Sequence, residues 1–312
     1  MPLWGLLLCF VIATLWAASP IMISRGLAIS KCTANEVNPL RAVSFLIVST
    51  IAALIYSQGH IAPLASYRAL LWLLINVFLT YIVGDVLYFT GIKEIGISMG
   101  IPISNSYPVL TAFTSWMILD EELSLRLLIN IVMVAVGLLL LHFGAHKDVA
   151  AQPSATEKEK LSAKRLIKGF AIAIGAAIAW ALSAPFMKLA IIDSGISAVE
   201  LTFYRAVIFA ILAWGSRLVT ARTFPAHIVP FKQLHKQTYI YFLAAPIIGL
   251  WLGSVLNTIC LTTMPVAVVT AVTSTSPFMA ALFGHFVLKD RLTSVQWVGV
   301  GMIITASITL GL

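Results

Sequence analysis

The residues best suited to chemistry are polar side chains placed within long apolar runs. Asp85 is the clearest case, since it follows Gly84 in such a run and lies one helical turn before Tyr88. An ionised side chain at the centre of a bilayer costs about 2.5–3.5 kcal/mol, so it needs a partner or a purpose. We therefore expect Asp85 either to face a central cavity and bind a solute or a coupling proton, or to pair with a nearby cation.

Two arginines lie about one turn inside apolar runs, at the same place in each of two similar halves of the chain. They are Arg41 and Arg205. A guanidinium group can hold a carboxylate or a phosphate through paired hydrogen bonds, or it can extend toward the lipid headgroups. Their equivalent positions favour a structural role in each half. Glu36 and Glu200, five residues earlier, are possible but poorly phased partners.

Two proline-containing segments carry clusters of hydroxyl and amide side chains. They are Ser104-Asn105-Ser106-Tyr107-Pro108 and Thr273-Ser274-Thr275-Ser276-Pro277. Proline frees a backbone carbonyl one turn earlier, and in a membrane that carbonyl needs another partner. Such clusters line a cavity or join neighbouring helices through hydrogen bonds. The residues predicted to line a central cavity are Trp16, Asp85, Tyr88, Asn105, Tyr107, Trp180, Asn257, Ser274 and Ser276, although core packing is an equal alternative for the two tryptophans.

The elements that must position these residues are membrane helices. Of the 312 residues, 60% are hydrophobic and 10% are charged, against about 25% charged in a soluble domain. A helix crosses the hydrocarbon core in roughly 20 residues. Ten apolar runs have that length, and we expect an all-α membrane protein of ten transmembrane helices. The predicted spans are 3–23, 37–57, 69–91, 96–118, 124–143, 169–190, 199–219, 239–262, 266–287 and 295–312.

The chain contains an internal repeat. Trp16 and Arg41 recur 164 positions later as Trp180 and Arg205, and Gly84 recurs 169 positions later as Gly253. The predicted units are a five-helix repeat over 1–143, a polar linker over 144–168, and a second five-helix repeat over 169–312. Five is an odd number, so the second half must enter the membrane from the opposite side, an inverted repeat typical of alternating-access carriers.

The end of each half resembles a known family. The first half carries Ser106-Tyr107-Pro108-Val109-Leu110 and then Leu119-Asp120-Glu121-Glu122-Leu123-Ser124; the second carries Ser276-Pro277-Phe278-Met279 and then Leu288-Lys289-Asp290-Arg291-Leu292-Thr293. These segments are similar to the proline-kinked helix, Gly-Glu-Arg-Leu-Thr-like turn and closing helix of EamA-like members of the drug/metabolite transporter superfamily. Asp120 and Lys289 stand where that pattern commonly has glycine, and Asp290 replaces the usual glutamate.

The resemblance implies a secondary active transporter, a permease or exporter, of a small organic metabolite such as an amino acid or a drug-like compound. The small multidrug relatives use a glutamate in the first helix, and the first span here contains no acid. Coupling would come from protons, exchange or facilitation, because no GxxxxGK[ST] loop for ATP occurs. The alternatives are a membrane receptor or scaffold and, with less support, an intramembrane enzyme, for which HExxH and GxSxG motifs are absent.

Charge and cysteine content limit which partners and cofactors are expected. The net charge of +8 is spread over short loops and the linker without a basic helix face, so nucleic acid is not an expected partner. Cys9, Cys32 and Cys260 have no metal-binding spacing, and we expect no metal or cofactor. The expected partners are a small-molecule substrate and membrane lipid. Small residues at four-residue spacing, such as Ala173, Ala177 and Ala181, favour packing within one chain and a monomer over a dimer.

Lysine and arginine counts predict the orientation. Leaving out Arg41 and Arg205, fifteen lie on the side of the linker, including Arg217, and three lie on the side of the termini: Arg68, Arg126 and Lys188. The positive-inside rule then places the linker in the cytoplasm and both termini outside, in the plasma (bacterial inner) membrane. The family resemblance implies the opposite, with both termini in the cytoplasm.

Overall fold

The computed structural model describes residues 3–30, 32, 34–95, 100, 103–149, 163–224, 228–279, 282 and 293–311. In the first half the helices are α1 (Leu3–Ser30), α2 (Ala34–Tyr56), α3 (Tyr67–Val77), α4 (Asp85–Ile95), α5 (Tyr107–Leu119) and α6 (Leu125–Val149). In the second half they are α7 (Ala163–Ser194), α8 (Ala198–Thr223), α9 (Lys236–Pro246), α10 (Gly253–Thr263), α11 (Val266–Thr273) and α12 (Ser294–Gly311).

The expected fold class is confirmed at the level of an all-helical chain with membrane-spanning segments. Every regular element of the described residues is helical. Among the described residues, five helical stretches are long and apolar enough to cross a bilayer, and the remaining apolar stretches, such as Leu3–Ser19 and Leu125–Leu140, are shorter. The five are Glu36–Tyr56, Tyr67–Ile92, Arg165–Ser194, Ala198–Thr223 and Lys236–Thr263.

Several helices extend beyond the predicted spans. The first continues to Ser30, and α6 and α7 enter the predicted linker from its two ends, reaching Val149 and starting at Ala163. Residues 150–162 of that linker lie outside the described residues, as do 96–99, 101–102 and most of 280–292 in two predicted spans. Polar and charged residues can continue a helix past the hydrocarbon core, because hydropathy reports burial in lipid rather than helix length.

One helical rod in each half is interrupted by a π-helical segment. The first is Phe78–Gly84, between α3 and α4, and the second is Ile247–Leu252, between α9 and α10. Their starting positions differ by the same 169 residues that relate Gly84 to Gly253. A π segment widens the helix and leaves backbone carbonyls without their usual partners, which makes it a common feature of functional sites.

The two halves interlock through exchanged contacts. Helix α1 packs against α9, the second π segment and α10, while its counterpart α7 packs against α3, the first π segment and α4. Helix α2 packs on α8, and α6 packs on α12. Each half therefore supplies partners to the other, and the main interface of the molecule lies between the repeats.

The repeat-related helices α2 and α8 run antiparallel. Glu36 at the start of α2 accepts hydrogen bonds from Arg217 near the end of α8 and from the backbone of Val229. At the other end, Glu200 at the start of α8 accepts a hydrogen bond from the backbone of Ala62, which follows α2. Each acidic residue thus lies beside the carboxyl end of the opposite helix.

The pair α6 and α12 repeats this arrangement. Arg126 at the start of α6 donates to the backbone carbonyl of Thr309 near the end of α12. Gly137, in the middle of α6, lies so close to α12 that an added Cβ would be 2.8 Å from the carbonyl oxygen of Gly299. Small residues therefore bring these two backbones together.

Candidate functional site

Each π segment receives a tryptophan from the opposite half. Trp180 on α7 donates its indole N–H to the carbonyl of Thr80, at 3.2 Å, and Trp16 on α1 donates to the carbonyl of Gly249, at 3.0 Å. Both acceptors lie within π segments, where freed carbonyls need partners. The two tryptophans that the sequence relates therefore make the same contact in opposite halves.

Glycine makes room for both indoles. A Cβ at Gly84 would lie 2.5 Å from Nε1 of Trp180, and one at Gly253 would lie 2.5 Å from Nε1 of Trp16. Any larger side chain at either glycine would collide with the ring. The sequence matched these glycines and tryptophans in pairs, and the structure explains the match as two copies of one contact.

Asp85 begins α4, immediately after the first π segment, and pairs with Arg41 of α2. Arg41 Nη1 lies 2.7 Å from Asp85 Oδ2 and 3.0 Å from the side-chain oxygen of Asn38. Asn38 in turn donates to the carbonyl of Tyr81, in the π segment, at 3.0 Å. All three side chains are buried. The pairing of Asp85 with a cation, one of the two outcomes expected for it, is the arrangement found.

A group of three aromatic rings is centred on Trp180, which lies against Gly84, the residue before Asp85. Trp180 packs against Tyr88, with ring centroids 5.1 Å apart, and against Tyr107 of α5, with centroids 5.8 Å apart in an edge-to-face arrangement. Tyr88 lies one turn after Asp85 and is buried, whereas Tyr107 and Trp180 are half-buried. This group can present flat apolar surface and two hydroxyl groups to an organic molecule beside a charged pair.

The second half has an equivalent site with different chemistry. Arg205 of α8 donates from Nη1 to the hydroxyl of Ser254 at 3.1 Å, and Ser254 is the residue 169 positions after Asp85. The guanidinium group of Arg205 also lies over the ring of Tyr81, 5.1 Å from its centroid. A neutral hydroxyl thus occupies the place that a carboxylate has in the first half.

The remaining predicted site residues lie on the two proline-containing segments and on α10. Ser274 is buried and donates to the carbonyl of Ala271 in its own helix, which is the bonding that a hydroxyl near a proline kink commonly makes. Asn105, Asn257 and Ser276 are half-buried. The grouping that the described contacts bring together consists of the two arginines, Asp85 and the aromatic residues.

Some buried polar residues were not recognised in the sequence as parts of this region. Asn38 is one, although its spacing of three residues before Arg41 is a signal for a shared helix face. Arg217 is another, because it was counted with the basic residues on the linker side although it falls within the predicted span 199–219. It lies within α8, is buried, and forms a 3.0 Å ion pair with Glu36. Glu36 therefore partners an arginine, but not the one five residues after it.

The termini side of the molecule holds a second polar contact. Glu121 accepts hydrogen bonds from the backbone N–H groups of Val266 and Ala267 and so caps the start of α11. Lys188 donates to the carbonyls of Leu261 and Met264 at the end of α10. These contacts hold the first turn of α11 against the neighbouring helices. All the residues of α11 are buried.

On the opposite side, Glu94 joins α4 to the start of α7. It lies 3.3 Å from Arg165 and 3.1 Å from Lys168. The hydrogen bond from Lys168, with help from Arg165, holds the pKa of the Glu94 carboxyl below its usual range. The carboxylate therefore stays ionised at neutral pH.

An apolar groove lies elsewhere, along the outer face of α7. Its volume is about 490 Å³ and its lining runs from Leu166 to Ile178. Lipid tails fit such a surface, whereas a polar solute does not. The groove is therefore separate from the charged group described above.

Comparison with known proteins decides the family. The model of the EamA-like transporter family matches residues 3–143 and again 167–312. The chain belongs to the EamA-like transporter family. Both matches together cover nearly the whole chain, and the second begins about one turn after the start of α7, so each half corresponds to one EamA unit.

Relatives agree with this assignment. An uncharacterized transporter of Archaeoglobus fulgidus is 27% identical over 306 residues, which span 98% of this chain and 97% of that protein. A crystal structure of a protein with 13% sequence identity superimposes with a TM-score of 0.72 over 98% of this chain and 96% of that one, and shares the fold. This EamA-like protein is a multi-pass membrane transporter.

Proposed function

We propose that this transporter is a secondary carrier that moves a small organic metabolite by alternating access. In this proposal ten helices cross the plasma (bacterial inner) membrane as two inverted five-helix repeats, over 1–143 and 169–312. Conversion between the two conformations opens a central site to one side and then to the other. The protein acts as a monomer with no metal, cofactor or enzymatic reaction.

The observation that carries the proposal is the exchange of tryptophans between halves at two equivalent π segments. Alternating access requires two similar halves whose contacts can interchange, and the Trp16 and Trp180 contacts are such a pair. The antiparallel packing of α2 on α8 and of α6 on α12 supports an inverted relation, because equivalent helices then run in opposite directions.

The proposed substrate site is the group around Asp85. Its members, besides the flanking Arg41 and Arg205, are Trp16, Tyr88, Asn105, Tyr107, Trp180, Asn257, Ser274 and Ser276. Buried charges are costly in lipid, and ionisable residues at this depth commonly serve a solute or ion pathway. Proton coupling would work through Asp85, whose bond to Arg41 can break when the carboxyl is protonated.

The proposed orientation has the linker in the cytoplasm and both termini outside. Removing the buried Arg217 from the count leaves fourteen basic residues on the linker side against three on the side of the termini. A reporter fused after Leu312 tests this, and activity of the fusion only in the cytoplasm contradicts it.

The mechanism is testable with the protein's own cysteines. Cys9 of α1 and Cys260 of α10 are buried with their sulfur atoms 3.7 Å apart, and they join the two halves near the termini side. Disulfide formation releases two electrons, which two equivalents of copper(II)–phenanthroline accept, and two thiol protons, which pass to the solvent. If opening on that side separates α1 from α10, cross-linking should abolish uptake into liposomes, and a reducing agent should restore it.

The control is the Cys9→Ser variant, which cannot form this bond and should keep its uptake under the same treatment. Cys32 is replaced by alanine in both proteins to prevent other cross-links. Substrates for the assay come from a metabolite library screened by thermal stabilisation, since a ligand of the folded state raises the melting temperature. Full uptake by a protein whose cross-link is complete by mass spectrometry contradicts alternating access at these helices.

A further inference from the structure

Each half has an arginine at the equivalent position that donates a hydrogen bond from Nη1, but the acceptor differs between the halves. Arg41 Nη1 reaches the carboxylate of Asp85, and Arg205 Nη1 reaches the hydroxyl of Ser254. Since Ser254 is the repeat counterpart of Asp85, the second half has kept the cation and lacks the anion. The pseudo-symmetric site is therefore short of one negative charge.

Nothing else in the described part of the chain supplies that charge. Arg205 is 6% exposed, and no carboxylate of the described residues lies within ion-pair distance of it. Its Nε atom is buried without a hydrogen-bond acceptor. The contact with the Tyr81 ring orients the guanidinium group but does not neutralise it. An arginine cannot lose its proton in a protein, so the charge persists.

The unpaired cation lies close to the rest of the proposed site. Asp85 interacts electrostatically with both guanidinium groups, directly with Arg41 and at longer range with Arg205. With Asp85 ionised, the group formed by these three residues carries a net charge of +1. The ring of Tyr81 lies against Arg205 itself, and Trp16 borders Gly253, the residue before Ser254, as Trp180 borders Gly84, the residue before Asp85.

The geometry points to Arg205 as the anchor for the carboxylate of an aromatic or similarly apolar organic acid, held between Arg205 and the neighbouring rings. The bound carboxylate supplies the negative charge that Ser254 lacks, and it accepts hydrogen bonds from the free N–H groups of the Arg205 guanidinium. The Nε atom of Arg41 also lacks an acceptor, but the charge of Arg41 is already balanced by Asp85. This inference rests on the proposed function and adds the charge class of the solute.

The test uses matched pairs of probes with purified full-length protein. Benzoate and phenylacetate carry the carboxylate, benzamide and phenylacetamide replace it with a neutral amide, and benzylamine carries the opposite charge. We expect at least one acid to stabilise the protein against heating and to bind more tightly than its amide by on the order of 10- to 100-fold, as a hydrogen-bonded charge pair provides.

Two variants of one residue provide the matched comparison. Ser254→Asp supplies the missing carboxylate, so Arg205 becomes paired as Arg41 is and the preference for acids over amides should disappear. Ser254→Asn has nearly the same size without the charge and should keep that preference. Arg205→Gln should also lose the preference for acids over amides. If Arg205→Gln does not fold, the comparison of the two Ser254 variants still tests the inference.

The outcomes separate this inference from the proposed function. Equal acid preference in Ser254→Asp and Ser254→Asn overturns the role of Arg205, and so does a wild-type protein that binds no acid more tightly than its amide. Uptake of benzylamine or an amide without acid binding would overturn the anion anchor and leave the carrier function standing. Acid binding without uptake of any solute into liposomes would keep the anchor and overturn the carrier.

Discussion

Replacing Gly84 with alanine should damage the fold far more than a typical glycine-to-alanine change in a helix. The added methyl group would lie 2.5 Å from Nε1 and 2.6 Å from Cδ1 of Trp180, and 2.9 Å from the backbone oxygen of Leu79. Ordinary contact begins at 3.4 Å. The indole cannot easily retreat, because it donates to Thr80 and packs between Tyr88 and Tyr107.

The expected magnitude follows from two effects. Forcing an extra methyl group into a packed site costs about 1–3 kcal/mol, and moving the indole leaves a buried N–H donor without its acceptor, which costs about 1–3 kcal/mol more. The better helix propensity of alanine returns up to about 1 kcal/mol. These terms give a net loss of about 1–6 kcal/mol, which for a chain of 312 residues should lower the melting temperature in detergent by about 2–9 °C.

Matched controls separate this contact from a general effect. Gly253→Ala places a methyl group 2.5 Å from Nε1 of Trp16 and should show a similar loss, whereas Gly215→Ala meets nothing within 4 Å and should be neutral or slightly stabilising. Trp180→Phe removes the N–H edge and should recover part of the loss in combination with Gly84→Ala. If Gly84→Ala melted at the temperature of Gly215→Ala, the contact between Trp180 and the π segment would be refuted.

Three further changes test other features. Asp120 ends α5 in the left-handed conformation, with φ 52°, so Asp120→Gly should stabilise the protein by up to about 1 kcal/mol and Asp120→Val should destabilise it, as melting temperatures would report. Glu36→Gln leaves Arg217 buried without its counter-ion and should cost about 3–5 kcal/mol; a change below 1 kcal/mol would mean that the pair is not formed. Since the Lys168 hydrogen bond lowers the pKa of Glu94, the stability from this pair is complete above the ordinary glutamate value of about 4.3 and is lost as pH falls through the lower folded pKa. The melting difference between the wild type and Glu94→Gln should therefore be constant near neutral pH and vanish in acid.

Much of the fold follows from the sequence because lipid imposes simple rules. Apolar runs must be helical, and the repeat of Trp16 and Gly84 as Trp180 and Gly253 already indicates two copies of one unit. The sequence does not reveal that each tryptophan contacts the glycine of the other half, because that depends on how helices distant in the chain pack. The π segments are equally hidden, since a proline precedes only the second.

The candidate site was predictable in part for similar reasons. Asp85 is conspicuous because a carboxylate is costly in an apolar run, but its partner Arg41 is 44 positions away and spacing alone does not connect them. The hydroxyl of Ser274 could turn toward a cavity or toward its own helix, and rotamer choice decides between them. Arg217 falls near the end of the predicted span 199–219 but was counted with the basic residues on the linker side, because its partner Glu36 is 181 positions away and spacing does not connect them.

The interlocking of the halves has a consequence for biosynthesis. While the ribosome is still making the second half, α2 and α6 have emerged without α8 and α12, the helices that they pack against most extensively. The first half then sits in the bilayer with surfaces that only later segments can cover, so final assembly must wait for the end of translation. Two separately expressed pieces, cut within 150–162, should consequently find each other in the membrane and become protease-resistant only when both are present.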